Sequence, residues 1–120
     1  MTITIIDING TGIAELISEN IEIANAQDAL ELLANAGYQG AENIIIHQKN
    51  ITPDFFDLKT GIAGEVLQKF STYQVKLAIV GDFSAYTSKS LKDFIYESNK
   101  AGRINFVHSI PEAKESLLKK

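Results

Sequence analysis

The chain contains no cysteine, which excludes disulfides, thiolate nucleophiles and cysteine-ligated metals in one step. It holds only two prolines in 120 residues, with no low-complexity tract and no shift of composition at which a linker could be placed. Residues 1–120 therefore read as one domain, long enough to bury a core unaided. No stretch approaches the ~20 apolar residues that a membrane-spanning helix needs, and the opening MTITIIDING lacks the basic region of a secretory signal. A cytoplasmic setting is expected. Concentrated positive charge is missing too: net charge is −4 with a pI near 5.1, and only Lys119-Lys120 is a contiguous pair among eleven Lys and Arg. Nucleic-acid binding calls for a basic face, so that partner class is disfavoured. No GxSxG, Walker, Rossmann or HExxH pattern occurs, and no cofactor is expected.

What is there is a strong alternation of strand and helix signals. Thr2 to Ile8 is β-branched and nearly alternating, and Asn9-Gly10 is a two-residue hairpin turn because both positions favour positive φ. Thr11 to Ser18 returns antiparallel. Gly10-Thr11-Gly12 thus belongs to a hairpin and carries no nucleotide signal. Ile21 and Ile23 alternate and could add a short edge strand. A helix is predicted over Ala26–Ala36, capped by Asn25 and ended by Gly37 in a left-handed conformation. Asn43–His47 has an unbroken Ile run and reads as a strand buried on both faces.

The stretch from Phe55 to Ser84 organises the rest. Thr52-Pro53 opens a helix, and Phe55, Leu58, Ile62, Val66 and Phe70 recur at helical spacing. Gly61 and Gly64 interrupt that pattern, so two starts stay open, one at Pro53 and one near Thr60. Phe55 and Phe56 cannot both face the core from one helix, which places one of them at a rim and hints at self-association. Val75–Val80 is a buried strand ending at Gly81-Asp82. Ser88 or Ser90 caps a third helix ended by Gly102, Ile104–Val107 is the last strand, and Ser109 with Glu112 makes a capping box for a final helix. The order β-β-α-β-α-β-α-β-α predicts an α/β fold with one mixed, mainly parallel sheet, right-handed crossovers and packed helices.

Ligands of open parallel sheets tend to bind beyond the carboxyl ends of the strands. His47, Asp82 and His108 stand at three such ends. His47 and Asp82 beside Ser84 are the candidate acid–base set, and two His with a carboxylate are also a candidate metal set. The commoner roles of such residues are loop and turn chemistry, with Asp82 suited to an Asx turn. Ser84, Tyr86, Thr87, Ser88 and Ser90 crowd the next loop, where capping competes with anion binding or phosphorylation. Lys59, Thr60 and Gln68 lie on the polar side of the helix beside Phe55, Phe56 and Tyr73. That face reads either as solvated or as a partner surface.

Taken together, FFDLKTGIAGEVLQKF, KLAIVGDFSAYTSKSLKDFIYESN and INFVHSIPEAKESL resemble the small bacterial family catalogued as domain of unknown function 4180, over residues 25 to 118. More distantly, the element order is similar to the STAS superfamily of anti-sigma-factor antagonists and its SpoIIAA-like branch. In that superfamily a strand enters an Asp-Ser-Ser-Gly-Leu segment ahead of a regulatory helix. The nearest equivalent here is Asp57-Leu58-Lys59-Thr60-Gly61-Ile62, with one extra residue and no serine doublet. The resemblance implies Thr60 as the phosphosite. The absence of any complete catalytic constellation, alongside the aromatic-edged helix, points to a non-enzymatic regulatory or interaction module of STAS-like fold that binds a protein partner, a second copy of itself or a small ligand through Phe56, Lys59, Thr60, Gln68, Asp82, Ser84 and Tyr86. The alternative is a small enzyme or ligand-binding protein using His47, Asp82 and Ser84.

Overall fold

A computed structural model describes residues 2–119. The chain folds into a five-stranded mixed sheet in sequential order, β1 (Thr2–Ile8), β2 (Thr11–Ile17), β3 (Asn43–His47), β4 (Lys76–Val80) and β5 (Ile104–Val107). β1 pairs antiparallel with β2, and the other three pairings are parallel. The hairpin turn is made as its residues require, with Asn9 and Gly10 both at positive φ. The Asp7 carboxylate accepts the Gly10 N–H at 2.9 Å.

Each parallel step carries one helix: α1 (Ala26–Tyr38), α2 (Ile62–Thr72) and α3 (Lys89–Ala101). A sheet built by successive steps in one direction receives right-handed crossover helices on a single face. The cores follow that rule. Ala14, Leu16, Ile44, Ile46, Leu77, Ile79, Ile104 and Phe106 pack against all three helices. The alternate residues Ile13, Ile45, Ala78 and Val107 meet Ala113 and Leu117 of α4 (Ile110–Leu118) on the other face. The Ile run of β3 is buried on both faces because both layers need it.

Caps fall where the side chains allow. Asn25, Ser88 and Ser109 accept the N–H of Asp28, Leu91 and Glu112 at the starts of α1, α3 and α4. The Glu112 carboxylate reaches back to the His108 N–H at 3.0 Å, one residue beyond the expected capping box. α1 runs past the expected stop: Gly37 lies inside it, and the left-handed residue is Gly40 at φ 88°. Ile21 is exposed, and Ile23 forms only a single parallel bridge to Ile51.

The stretch before α2 is not helix from Pro53. Pro53–Phe56 and Leu58–Thr60 are separate 3₁₀ turns, and α2 starts after Gly61, which sits at φ 79°. Side chains compete with the helix for the main chain here. Asp57 accepts the Lys59 N–H at 3.2 Å, while the Thr60 hydroxyl lies 2.8 Å from the Asp54 carbonyl and 2.9 Å from that of Asp57. The expectation that either Phe55 or Phe56 lies at a rim is overturned. Both are buried, at 0% and 6% exposure, because a 3₁₀ turn across the end of the sheet aims both rings at Phe106. The hint of self-association drawn from them falls with it.

Candidate functional site

The carboxyl ends of β3, β4 and β5 meet over an aromatic cluster. Phe106 on β5 is its hub, with ring centroids of Phe83 at 5.3 Å, Phe94 at 6.2 Å, and Phe55 and Phe56 at 6.4 Å each. Five of the chain's six phenylalanines therefore sit in one group. Tyr86 closes it from above, stacked on Phe56 with centroids 4.9 Å apart and planes inclined by 14°. Phe56, expected as a contact residue, is the floor of this surface and not part of its exposed face.

The loop after β4 is pinned on that floor. Gly81 leaves room for the Gln48 side chain, which an added Cβ would overlap. Gln48 then takes the Asp82 N–H on its side-chain oxygen at 3.1 Å and donates to the Tyr86 hydroxyl at 3.0 Å. Asp82 forms the Asx turn that its position suggested. Its Oδ1 accepts the Ser84 N–H at 3.0 Å and the Ser84 hydroxyl at 2.7 Å. The Ser84 hydroxyl first, then the Ser84 N–H, with a smaller contribution from charge on His108, hold the Asp82 carboxyl below its ordinary range.

The two imidazoles are engaged elsewhere. His108 Nδ1 is 3.2 Å from the Gly81 carbonyl oxygen, which can only accept, so Nδ1 carries the proton in that contact. His47 faces Glu15 of β2, Nε2 to Oε2 3.7 Å, on the sheet face opposite the aromatic cluster. Among the described residues neither ring hydrogen-bonds Ser84 or the Asp82 carboxylate, and no group of three His, Asp or Glu is placed to hold a metal ion. His47, Asp82 and His108 are thus not gathered as a ligand set. Their strand ends are neighbours, but His47 ends a strand as a sheet residue facing β2, whereas Asp82 and His108 lie in loops.

Lys59 and Thr60 are exposed just ahead of α2, and Gln68 is exposed further along it. The Thr60 hydroxyl also accepts the Ile62 N–H at 3.3 Å, the first free donor of that helix. The Phe56–Tyr86 stack sets the Pro53–Phe56 turn, just ahead of Lys59 and Thr60, beside the 82–86 loop. Two larger hollows lie away from here. An apolar cleft of about 540 Å³ runs between α1 and the end of α2, lined by Leu30, Leu33, Tyr73 and Val75. A polar one of about 540 Å³ borders β5 from Asn105 to Val107, beside Lys76, Asn99, Lys100 and Lys119. Gln48, Phe83, Phe106 and Glu15 escaped sequence reasoning. For Glu15 a signal existed: it is a charged residue at an inward position of an alternating strand.

No helix of the described residues is long and apolar enough to cross a membrane. No curated protein and no solved structure matches the chain. The family model described as a domain of unknown function, DUF4180, matches residues 8–117, nearly the whole domain from the hairpin turn to the last helix, and the chain belongs to that family.

Proposed function

We propose that this protein is a non-catalytic regulatory or interaction module of STAS-like fold that engages a protein partner where the start of α2 meets the loop after β4. The observation that carries this reading is the stack of Phe56 on Tyr86. It packs the Pro53–Phe56 turn, which runs on to the exposed Lys59–Thr60, against the loop that carries the exposed Asp82 and Ser84. Rigid aromatic support beneath small polar groups suits a recognition surface, since little side-chain entropy is lost on binding. The sequential order of β2 to β5, with a helix in each parallel step, supports the STAS-like likeness. Thr60 is the switch in this reading. A phosphate there would add negative charge at the amino end of α2, the side the helix dipole favours, and would alter the face shown to a partner.

The small-enzyme alternative needs His47 as a base within reach of Asp82 or Ser84. His47 is instead set against Glu15, and the Ser84 proton is directed at a carboxylate that is a weakened base.

Affinity capture from the cells that make the protein, with the natural chain beside Thr60→Glu and Ser84→Arg, tests the proposal. Both positions are exposed, and circular dichroism checks that each variant folds, since Thr60→Glu gives up the hydroxyl contacts to Asp54, Asp57 and Ile62. A stoichiometric partner lost or gained with either substitution supports the assignment. A partner retained equally by all three chains overturns it.

A further inference from the structure

The two edges of the sheet are treated differently. β5 is four residues long and wholly buried. Arg103 and Val107 direct their carbonyls to the N–H groups of Leu77 and Gly81 at the β4 side, so Phe106 between them faces outward. There the Asn99 side chain of α3 lies alongside it. Its Oδ1 accepts the Phe106 N–H at 2.7 Å, and its Nδ2 donates to the Phe106 carbonyl at 3.4 Å. One amide occupies both main-chain groups as a neighbouring strand would.

Among the described residues, β1 at the other edge has no such cover. It pairs with β2 without a bulge from Thr2↔Ile17 to Ile8↔Thr11. The two-residue turn makes Ile8 and Thr11 a hydrogen-bonded pair, and bonded pairs alternate along an antiparallel ladder. Thr2, Thr4, Ile6 and Ile8 therefore spend their main-chain groups on β2, while Ile3, Ile5 and Asp7 turn theirs outward. Edge strands are ordinarily blunted by lysine, proline, a bulge or shortness. TITIIDI is seven residues long, without lysine, proline or bulge, and its single charge, Asp7, lies next to the turn end of the strand. Ile5 is 38% exposed, with Ile3, Ile6 and Ile8 half-buried.

We propose that β1 pairs antiparallel with β1 of a second copy of this chain about a two-fold axis through Ile5, joining two five-stranded sheets into one. This surface is separate from the one assigned above. The outward set dictates the register. With Ile5 opposite its own copy, Ile3 meets Asp7 and Asp7 meets Ile3, so each outward residue meets an outward residue and about six main-chain hydrogen bonds form. A slip of one residue sets outward groups against groups already used, and a slip of two leaves Ile3 or Asp7 unmatched. Charge agrees with this register. Asp7 is the only charged residue of the strand, the two copies fall at opposite ends of the pairing, and each carboxylate already holds its own Gly10 N–H. On one face Ile5 covers Ile5, and on the other Thr4 covers Ile6 and Thr2 covers Ile8. An isologous contact of this kind closes at two copies, and at the opposite edge Asn99 already occupies the outward main-chain groups of Phe106. A strand edge alone is smaller than a standard interface, so the dimer is concentration-dependent.

Sedimentation velocity of the full chain from low micromolar to near-millimolar concentration tests this, with Ile5→Pro and Ile5→Lys as variants. Proline at position 5 removes an outward N–H and none that β2 uses; lysine sets two ammonium groups on the axis. Circular dichroism checks that both variants fold. The natural chain should dimerise, with the dissociation constant raised at least about tenfold in either variant. Ile5→Cys supplies a separate reading in this cysteine-free chain. Across a bonded pair the Cα atoms lie about 5.5 Å apart, within disulfide span, so mild oxidation should link Cys at 5 into dimers while Ile21→Cys stays at collision level. A monomer at every concentration overturns the proposal, as does a dimer that neither Ile5→Pro nor Ile5→Lys weakens, absence of the cross-link, or open-ended association.

Discussion

The Gln48 side-chain amide donates to the Tyr86 hydroxyl at 3.0 Å while its oxygen takes the Asp82 N–H at 3.1 Å, so one residue past β3 holds both ends of the loop past β4. Tyr86→Phe removes one hydrogen bond and keeps the stack on Phe56, and should cost about 1 kcal/mol in urea unfolding. Gln48→Ala removes both bonds and should cost about 2 kcal/mol. In the double variant the two losses should fall short of additive by roughly 0.5–1 kcal/mol, since the residues share one bond. Amide exchange across residues 82–86 should quicken in Gln48→Ala more than in Tyr86→Phe. Strict additivity would show that the link contributes nothing.

Three glycines make opposite demands on one methyl group. At Gly64, inside α2, an added Cβ meets nothing within 4 Å and φ is ordinary. Gly64→Ala should therefore stabilise by about 0.5–1 kcal/mol, through helix propensity and a less flexible unfolded chain. Gly61 sits at φ 79°, and Gly61→Ala should cost about 1 kcal/mol by left-handed strain alone. At Gly12 the added Cβ would come within 2.5 Å of the Gly40 carbonyl oxygen, a main-chain atom held by the end of α1. Gly12→Ala should cost roughly 1–3 kcal/mol. Thermal unfolding of the three variants separates the signs.

The glycines also show what could be read from the residues alone. Strands, the hairpin, the caps Asn25, Ser88 and Ser109, and the element order are local properties, written in periods of two or 3.6 and in side chains that bond their own neighbours. Whether Gly61 ends a turn or interrupts a helix depended on Asp57 and Thr60 capturing the main chain, and spacing did not decide it. The burial of both Phe55 and Phe56 depended on Phe106, which joins the cluster from a distant strand. The same holds for the site. Asp82 with Ser84 was legible because the two are only two residues apart in sequence. The pairing of His47 with Glu15, and the bridge from Gln48 to Tyr86, arise only when β2, β3 and β4 come together.

The Asp82 carboxyl should titrate below the ordinary aspartate value of 3.8, because the Ser84 hydroxyl and N–H favour its charged form. A pKa depressed in the folded state contributes stability above the unfolded aspartate range, and that contribution is lost as pH falls through the folded value. Carboxyl-carbon NMR titration reads this directly. Ser84→Ala should move the Asp82 midpoint upward, toward the ordinary value, and remove that contribution at neutral pH. An unmoved midpoint would mean that the hydroxyl is not the cause.

Asn50 offers the sharpest test of a buried polar contact in the fold. Its side chain is fully buried, and Nδ2 donates to the carbonyls of Ser18 and Asn20 at 2.8 and 2.9 Å. Its own main-chain carbonyl accepts the N–H groups of Glu22 and Ile23 at 2.7 and 3.0 Å. The segment between β2 and α1 is thus hung on one residue. Asn50→Ala leaves two carbonyls without donors and should cost about 2 kcal/mol. Asn50→Asp is nearly the same size but replaces the donor with a buried negative charge facing two carbonyl oxygens, and should cost more than about 3 kcal/mol at neutral pH. The new carboxyl would hold its proton in the folded state, because the neutral form can donate one O–H to Ser18 or Asn20. A pKa raised by folding gives stability that is fully present below the unfolded aspartate range and is lost as pH rises from there through the raised folded value. Asn50→Asp should therefore lie close to Asn50→Ala at pH 4 and fall below it at pH 7 in urea unfolding. Equal penalties at both pH values would mean that the amide's two donors are not what holds the segment.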